Sequence, residues 1–257
     1  MTSGSISLRP GEWGSRPVAL AVCARGEGWA VLDQPSPSTA TVPLPEGPTK
    51  RLESVLAGRV AAGVRAIRSL FPQRPKAVFA HPHGGPVPFA SSKETLSRLR
   101  EEYGSYRWEF RFLLLARTGP GDDSARCDLP VAVHRDGTRS LVSHRTGKRA
   151  STRFVRLARG PGLELWEART DYLRPDQIRL HAAETGIAVA GEGLYAEAAP
   201  VSRADLPGRR RPGGPRHVLF PEPAVHLASL AAPAFGDDPV RSSPPRAFAK
   251  WIEAYAP

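Results

Sequence analysis

The stretch Arg174-Pro175-Asp176-Gln177-Ile178-Arg179-Leu180-His181, followed later by Gly191-Glu192-Gly193-Leu194-Tyr195, is the most informative part of this sequence. Its start predicts a helix, because Pro175 suits the first helical position, where its missing N–H would be unpaired anyway. Gly186 predicts the end of that helix, since glycine readily adopts the left-handed cap conformation. We therefore expect a short helix between Pro175 and Gly186, with a glycine-rich turn after it.

The polar residues of this helix recur at helical spacing. One turn places Arg179 near Asp176, and Gln177 and His181 lie four residues apart on a shared face. A polar cluster on a short helix, followed by a glycine-rich turn, is more typical of the rim of a site than of a core. The interpretation that Arg179 is only a surface arginine remains the alternative.

This stretch resembles the signature of the RluA-type pseudouridine synthases, which isomerise uridine in ribosomal or transfer RNA. That signature reads Gly-Arg-Thr-His-Gln-Ile-Arg-Val-His, then a helix ending in Gly, then Gly-Asp-x-Leu-Tyr-Gly. The matching positions here are Arg174, Gln177, Ile178, Arg179, His181, Gly186, Gly191, Leu194 and Tyr195.

Three further segments resemble motifs of the same family, in the same order. They are Gly28 to Pro35, Gly147 to Phe154 and His226 to Leu230. The resemblance implies an α+β pseudouridine synthase fold, in which a mixed, mostly antiparallel sheet bends around a central cleft with flanking helices. We expect one such domain over residues 18–257, preceded by a loosely ordered arm over the polar residues 1–17.

The segment that should carry the catalytic aspartate departs from the family pattern. Aligning Ala90-Ser91-Ser92 with the family's Ala-Lys-Thr places Ala80 at the aspartate position, and no acidic residue occurs from Phe71 to Lys93. The position of the family's tyrosine, which packs against the target uracil, is Phe112. The stacking ring is therefore present and the hydroxyl is missing.

The resemblance also implies roles for the basic residues. Arg179 matches the arginine that pairs with the nucleophilic aspartate, so here it needs an RNA phosphate, solvent or another carboxylate. Arg174, Gln177 and His181 are expected to contact RNA. The loop residues Arg209, Arg210 and Arg211 are either a phosphate clamp or a solvated turn.

These observations support two functional hypotheses. The first is an RNA-binding relative of the pseudouridine synthases that has lost catalysis, because alanine offers no nucleophilic oxygen. The second is an active synthase that uses a substitute carboxylate, which requires an Asp or Glu close to Arg179. We favour the first.

Composition agrees with a nucleic-acid partner. The chain of 257 residues carries a formal net charge of +11, and arginine suits two-point contacts with phosphate. A GC-rich genome is the alternative cause of the arginine enrichment. We expect RNA, ribosomal or transfer, as the partner.

Other classes of site receive little support from the sequence. Cys23 and Cys127 are too few for a disulfide framework or a cysteine metal site, which fits a reducing cytoplasm. His81-Pro82-His83 lacks a visible third ligand, so we expect no metal and no cofactor. No stretch is long enough to span a membrane, and we expect a cytoplasmic monomer.

Periodicity predicts the remaining elements. An amphipathic helix is expected from Arg51 to Phe71, with Gly58 and Gly63 at points of close packing. Ser91 and Glu94 predict a capping box at the start of another helix. The expected strands are Tyr106 to Leu115 and a hairpin pairing Ser151 to Ala158 with Leu163 to Thr170.

Overall fold

The computed structural model describes residues 4–206 and 218–256 of the chain. The strands are β1 Ser5–Leu8, β2 Val18–Gly26, β3 Trp29–Gln34, β4 Lys76–Ala77, β5 Gly85–Ala90, β6 Glu109–Arg117, β7 Ser124–Cys127, β8 Val131–Val133, β9 Ser140–Val142, β10 Thr152–Gly160, β11 Leu163–Thr170, β12 Val201–Ser202, β13 Val218–Phe220, β14 Val225–Ala231 and β15 Val240–Arg241. The α-helices are α1 Pro48–Ala61, α2 Arg65–Arg68, α3 Lys93–Gly104, α4 Gln177–Glu184 and α5 Arg246–Tyr255. Short 3-10 turns lie at Pro37–Thr39, Arg203–Asp205 and Pro233–Phe235.

The chain divides into two compact units. Unit 1 comprises residues 1–109 and 227–243, and unit 2 comprises residues 110–226 and 244–257. The single domain expected over residues 18–257 stays a prediction. None of the helices in the described part of the chain has the length and apolar character that a membrane span requires.

Unit 1 is built on an antiparallel sheet with the strand order β1-β2-β3-β5-β4. Alternate residues of each strand point to the same face, so β2 and β3 supply one apolar layer. This layer packs with the apolar sides of α1 and α2 in a buried cluster that contains Leu20, Leu32, Leu52, Leu56, Ile67, Phe71 and Phe89.

The described part of the N-terminal segment, residues 4–17, contains a strand and a buried tryptophan, whereas the sequence predicted a loose arm over residues 1–17. Ser5–Leu8 pairs with β2 as an edge strand, in which Leu8 stands opposite Val18. Trp13 is fully buried, and its indole N–H donates to the Thr39 hydroxyl at 2.9 Å. The segment is polar in composition but alternates in burial along β1, so Ile6 and Leu8 secure it to the core.

The helix predicted from Arg51 to Phe71 is two helices, α1 and α2. Gly63 causes the break because its φ is +73°, and it ends α1 in a Schellman motif with N–H bonds from Gly63 to Val60 and from Val64 to Arg59. The expected close packing at Gly58 and Gly63 was wrong, because a Cβ at either position meets nothing within 4 Å.

The cap of α3 lies one residue later than predicted. Ser92, and not Ser91, is the N-cap, and its hydroxyl accepts the N–H of Thr95 at 3.1 Å. The Ser91 hydroxyl donates instead to the carbonyl of Gly28 at 3.2 Å. Both serines have the chemistry of a cap, so the sequence alone did not distinguish them.

Unit 2 is built on the antiparallel strands β7, β10, β11 and β6, in that order. The predicted hairpin is confirmed as β10 and β11, joined at Gly160 and Leu163. One side of these strands carries Thr152 and Thr170, which bond to α4. Beyond the strands, β8 and β9 form a separate hairpin.

Helix α5 packs against one end of the same strands. Its apolar side buries Phe248 and Trp251 in a cluster with Leu115, Leu163 and Leu165. A Cβ on Gly160 would lie 2.8 Å from the Trp251 ring, so glycine there allows the helix to approach β10 closely.

Candidate functional site

Helix α4 begins and ends through local backbone chemistry. It begins after Asp176, whose φ of +52° is left-handed, so Pro175 lies before the helix and not at its first position as predicted. It ends at Gly186 with φ +78°, where N–H bonds from Gly186 to Ala183 and from Ile187 to Ala182 form a Schellman motif. The predicted left-handed cap at Gly186 is confirmed.

Arg179 is bound by a carboxylate of its own unit. Its Nε lies 2.7 Å from Glu192 Oε2 and its Nη2 lies 2.8 Å from Glu192 Oε1, which is two-point pairing. The Glu192 side chain is 1% exposed and that of Arg179 is 15% exposed. The sequence left an RNA phosphate, solvent or another carboxylate as possible partners of Arg179. The structure shows a carboxylate, that of Glu192.

The turn that carries Glu192 is shaped by Gly191. Its φ is +84°, and a Cβ there would lie 2.5 Å from the carbonyl oxygen of Glu222, so only glycine fits. Glu192 Oε1 also accepts the N–H of Leu194 at 2.8 Å and that of Tyr195 at 3.1 Å. The carboxylate of Glu192 therefore holds the turn and Arg179 at the same time.

These contacts determine the protonation of the pair. Burial alone would raise the pKa of Glu192, but the hydrogen bonds and charge of Arg179 and the two backbone N–H groups together lower it below its usual value. Burial would likewise lower the pKa of Arg179, and the bonds to Glu192 together with its charge and that of Asp176 raise it. The pair is therefore ionised on both sides at neutral pH.

Asp176 and Tyr195 extend the cluster around Arg179. Asp176 Oδ1 lies 3.3 Å from Arg179 Nη1, as the helical spacing predicted, and Oδ2 accepts the Tyr195 hydroxyl at 3.0 Å. The same hydroxyl accepts the N–H of Ser140 at 2.9 Å. The Arg179 guanidinium also lies 5.2 Å from the centre of the Tyr195 ring. We call Asp176, Arg179, Glu192 and Tyr195 the Arg179 cluster.

Burial makes the Tyr195 hydroxyl unsuited to donate or accept a proton in catalysis near neutral pH. Desolvation is the main cause that raises the pKa of its hydroxyl to about 12, and the charge of Asp176 acts in the same direction. The hydroxyl therefore stays protonated and acts as a hydrogen-bond donor to Asp176.

Gln177 and His181 are interior residues of unit 2. The Gln177 amide donates to the carbonyl of Ser151 and to the hydroxyls of Thr152 and Thr170, at 3.0 to 3.1 Å. His181 Nδ1 lies 2.9 Å from the Thr152 hydroxyl. Their exposed fractions are 1% and 0%, so a direct contact of either side chain with RNA would require it to leave this network.

His181 has a further bond that fixes its ring. Nε2 lies 2.9 Å from the carbonyl oxygen of Leu129, which suits an N–H at that nitrogen. Burial is the largest influence and lowers the pKa of His181 against the opposing effects of this carbonyl, Asp128 and Glu184. His181 is thus a neutral bridge between α4 and the strands.

Arg174 is half-buried at the edge of the same unit. Its guanidinium lies 4.1 Å from the centre of the Tyr172 ring, and its Nε donates to the carbonyl of Arg149 at 3.3 Å. It lines a cavity of about 340 Å³ together with Lys148 and the β8 strand. Arg174 is therefore a predicted RNA contact that lies beside open space and another cation.

Ala80 lies in unit 1, in the loop between β4 and β5, and it is exposed. The loop is held by Gln34, whose amide donates to the carbonyls of His81 at 3.2 Å and His83 at 2.5 Å. The Thr49 hydroxyl donates to the side-chain carbonyl oxygen of Gln34 at 2.7 Å, so Gln34 is itself held in place. The position predicted for the aspartate is thus an ordered loop without a carboxylate of its own.

The remaining predicted residues fall in different settings. Phe112 is fully buried on β6. Arg209, Arg210 and Arg211 lie outside the described residues. His81 and His83 have ring centres 6.3 Å apart, and no group of three His, Cys, Asp or Glu residues in the described chain is arranged to hold a metal ion.

Glu192 is the site residue that sequence reasoning missed. It occupies the acidic position of the Gly-Asp-x-Leu-Tyr part of the signature, directly after Gly191. This match could have identified Glu192 as a site residue. An acidic residue that directly follows a glycine in a turn can reach a nearby cation and the backbone N–H groups of the same turn.

Comparison with known proteins places the fold. The structure of human RNA pseudouridylate synthase domain containing 4 matches with a TM-score of 0.63 at 16% sequence identity, covering 90% of this chain and 91% of that chain. Human RNA pseudouridylate synthase domain containing 1 matches with a TM-score of 0.59 at 17% identity, covering 93% and 88%. No family model and no curated protein sequence matches the chain.

These similarities show that the chain has the α+β fold of RNA pseudouridylate synthase domains, as predicted. The antiparallel pairing of the strands agrees with that fold class.

Proposed function

We propose that this protein binds RNA through a pseudouridine synthase fold without isomerising uridine. The observation that carries the proposal is the two-point pairing of Arg179 with Glu192. In the RluA-type enzymes that the sequence resembles, the matching arginine pairs with the nucleophilic aspartate. Here Arg179 is paired inside its own unit with Glu192, which does not occupy the position of the family's nucleophile.

Glu192 is poorly suited to act as that nucleophile. Covalent catalysis needs a carboxylate oxygen that reaches the substrate. The Glu192 side chain is 1% exposed, and its oxygens accept bonds from Arg179, Leu194 and Tyr195. Freeing an oxygen would leave a cation and two N–H groups without a partner, which costs several kcal/mol in a buried setting, on the order of 3–5.

The Ala80 loop supports the same proposal. An alanine side chain has no oxygen, and no acidic residue lies between Phe71 and Lys93 to replace it. Gln34 and Thr49 hold the loop in place, so it is ordered although it carries no carboxylate. An ordered loop that carries no carboxylate is what a binding protein with this fold and without the nucleophile would have.

RNA as the partner rests on charge and on the named relatives. The formal net charge is +11, and such a surface attracts polyanions at long range. Both human structures with this fold are named as RNA pseudouridylate synthase domains. We propose ribosomal or transfer RNA, with Arg174 and Lys148 among the contacts at the cavity beside β8.

The proposal is tested with purified protein and a defined RNA. Binding is measured by fluorescence anisotropy between 50 and 200 mM salt, and pseudouridine is measured by mass spectrometry of the same RNA after incubation. We expect affinity to fall by about 10³-fold or more if six phosphates are contacted, and no pseudouridine to form. Pseudouridine at the level of an enzyme with turnover would contradict the proposal.

The second candidate is an active synthase in which Asp176 is the substitute carboxylate. One observation favours it: Asp176 contacts Arg179 and has a side chain that is 20% exposed, unlike Glu192. Its left-handed backbone also fits a residue placed for function at some cost in strain. Pseudouridine formation that disappears in the Asp176→Asn variant would establish this candidate.

A further inference from the structure

The strand register of unit 2 aligns arginines from neighbouring strands in a single row. Arg126 of β7 stands opposite Arg153 of β10, Arg153 stands opposite Arg169 of β11, and Arg169 stands opposite Arg111 of β6. Adjacent strands lie about 4.8 Å apart, so the row extends about 14 Å across the sheet. We call these residues the arginine row.

The row lies on the face of the sheet that points away from α4. Successive residues of a strand point to opposite faces. Thr152 and Thr170 bond to Gln177 of α4, and each is the neighbour in sequence of a row member, Arg153 or Arg169. The arginine row is therefore a surface separate from the Arg179 cluster.

Acidic residues neutralise part of the row. Glu167 is bound by both Arg111 and Arg169. Asp128 lies 2.7 Å from Arg126, and Glu109, which is exposed, precedes Arg111 by two positions on β6. Cations still outnumber these carboxylates, so the row keeps a positive charge.

Arg153 is the member with unsatisfied charge. It is exposed and makes no ion pair or hydrogen bond through its side chain with any described residue. Its cross-strand neighbours on both sides are arginines. Like charges directly opposite one another destabilise a sheet, so this arrangement costs stability unless an anion lies over it.

We propose that the arginine row binds the sugar–phosphate backbone of RNA, as a second contact surface; this rests on the proposed RNA-binding function. The guanidinium fork matches phosphate oxygens, and an RNA strand that runs along a row of about 14 Å presents more than one phosphate to it. Arg126 and Arg169 have side chains 61% and 51% exposed, so they are accessible to a strand.

Exposed apolar residues beside the row fit the same partner. Val155 and Leu157 continue the outward positions of β10 after Arg153 and are 38% and 41% exposed. Ribose and base edges can cover such side chains while the phosphates meet the arginines. The surface therefore offers charge and apolar area in adjacent positions along one strand.

The test compares the wild type with Arg153→Gln, with the double variant Arg126→Gln/Arg153→Gln, and with Arg98→Gln as a control. Arg98 is an exposed arginine of α3 in unit 1, and its replacement removes the same charge. Affinity for a single-stranded RNA is measured by anisotropy across a salt series. We expect the slope of log affinity against log salt to decrease by about 0.7 for each phosphate that a row variant no longer binds, and to stay unchanged in Arg98→Gln.

Thermal unfolding without RNA gives a second readout. Since Arg153 faces arginines on both sides, Arg153→Gln should unfold at the same temperature as the wild type or at a higher one. A marked loss of thermal stability would instead indicate a structural role and would overturn the assignment. So would equal salt slopes in the row variants and in Arg98→Gln.

Failure of the row and failure of the proposed function give different results. A wild type that binds RNA, with row variants that bind like the control, refutes the arginine row alone. A wild type that binds no RNA at any salt concentration refutes the proposed function and the row together.

Discussion

Arg179 and Glu192 form a buried two-point ion pair, with Nε–Oε2 and Nη2–Oε1 distances of 2.7 and 2.8 Å. The pair joins α4 to the turn that Gly191 makes possible. The pair gives Arg179 a structural role. Replacing either residue should therefore lower stability, unlike the replacement of an arginine that has no protein partner in a cleft.

Glu192→Gln should destabilise the protein by about 3 kcal/mol, because a buried cation is left without its main partner. The low end of the usual range applies, since Arg179 is 15% exposed and keeps Asp176. Arg179→Ala should cost a similar amount, and the double variant should cost less than the sum. Chemical denaturation measures all three, with the exposed Glu197→Gln as the control. Additive losses would contradict direct coupling.

The pH dependence of this pair follows from the lowered pKa of Glu192. The unfolded state binds more protons as pH falls below about 4.3, the ordinary value for glutamate. The stability that the pair contributes is therefore present above that pH and is lost as pH falls through the folded pKa. The difference between the wild type and Glu192→Gln should shrink accordingly in denaturation at low pH.

His181 should make stability depend on pH in a higher range. Its folded pKa is lowered, mainly by burial, so the unfolded state takes up a proton first as pH falls below about 6.5. The unfolding free energy should therefore decrease below that pH. In His181→Gln this component should disappear, whereas His144→Gln, at an exposed position, should retain it. An unchanged profile in His181→Gln would contradict the neutral, buried assignment.

Gly191 and Gly193 form a matched pair for testing the turn. Gly191→Ala should destabilise by on the order of 1–3 kcal/mol from its left-handed backbone, with the clash against Glu222 added. Gly193→Ala should be close to neutral, because a Cβ there meets nothing within 4 Å. The unfolding temperatures of both variants test this prediction, and equal losses of stability would contradict the turn geometry.

Much of unit 2 was predictable because its signals are local. Gly186 ended α4 as expected, and the spacing of Asp176 and Arg179 placed them in contact. Burial was not predictable in the same way. Gln177 and His181 look like a polar face in sequence, yet the hydroxyls of Thr152 and Thr170 on distant strands satisfy them in the interior.

The errors in unit 1 have the same origin. The segment before β2 is polar overall, and only its pairing in the sheet reveals that Ile6, Leu8 and Trp13 belong to the core.

The arginine row of unit 2 could not be predicted from the sequence either, since the register of the strands brings its members together. Long-range pairing, and not local propensity, carries this information.

Asp176→Asn separates the two functional candidates. In a binding protein, Asp176 contacts Arg179 and Tyr195 without a catalytic role, so the variant should lose at most about 1 kcal/mol of stability, as for a partly exposed ion pair. RNA affinity should stay within a few-fold of the wild type, and neither protein should form pseudouridine. Mass spectrometry of RNA incubated with both proteins makes the comparison, with Glu197→Gln as the matched loss of an exposed carboxylate.

The most direct test of the central claim is to sequence the RNA crosslinked to this protein in cells and to map pseudouridine in the same transcripts. The map is repeated in cells that lack the protein. We predict that specific RNAs are recovered and that their pseudouridines are the same with and without it. Pseudouridine at the crosslinked sites that vanishes with the protein would contradict the account and identify an active synthase.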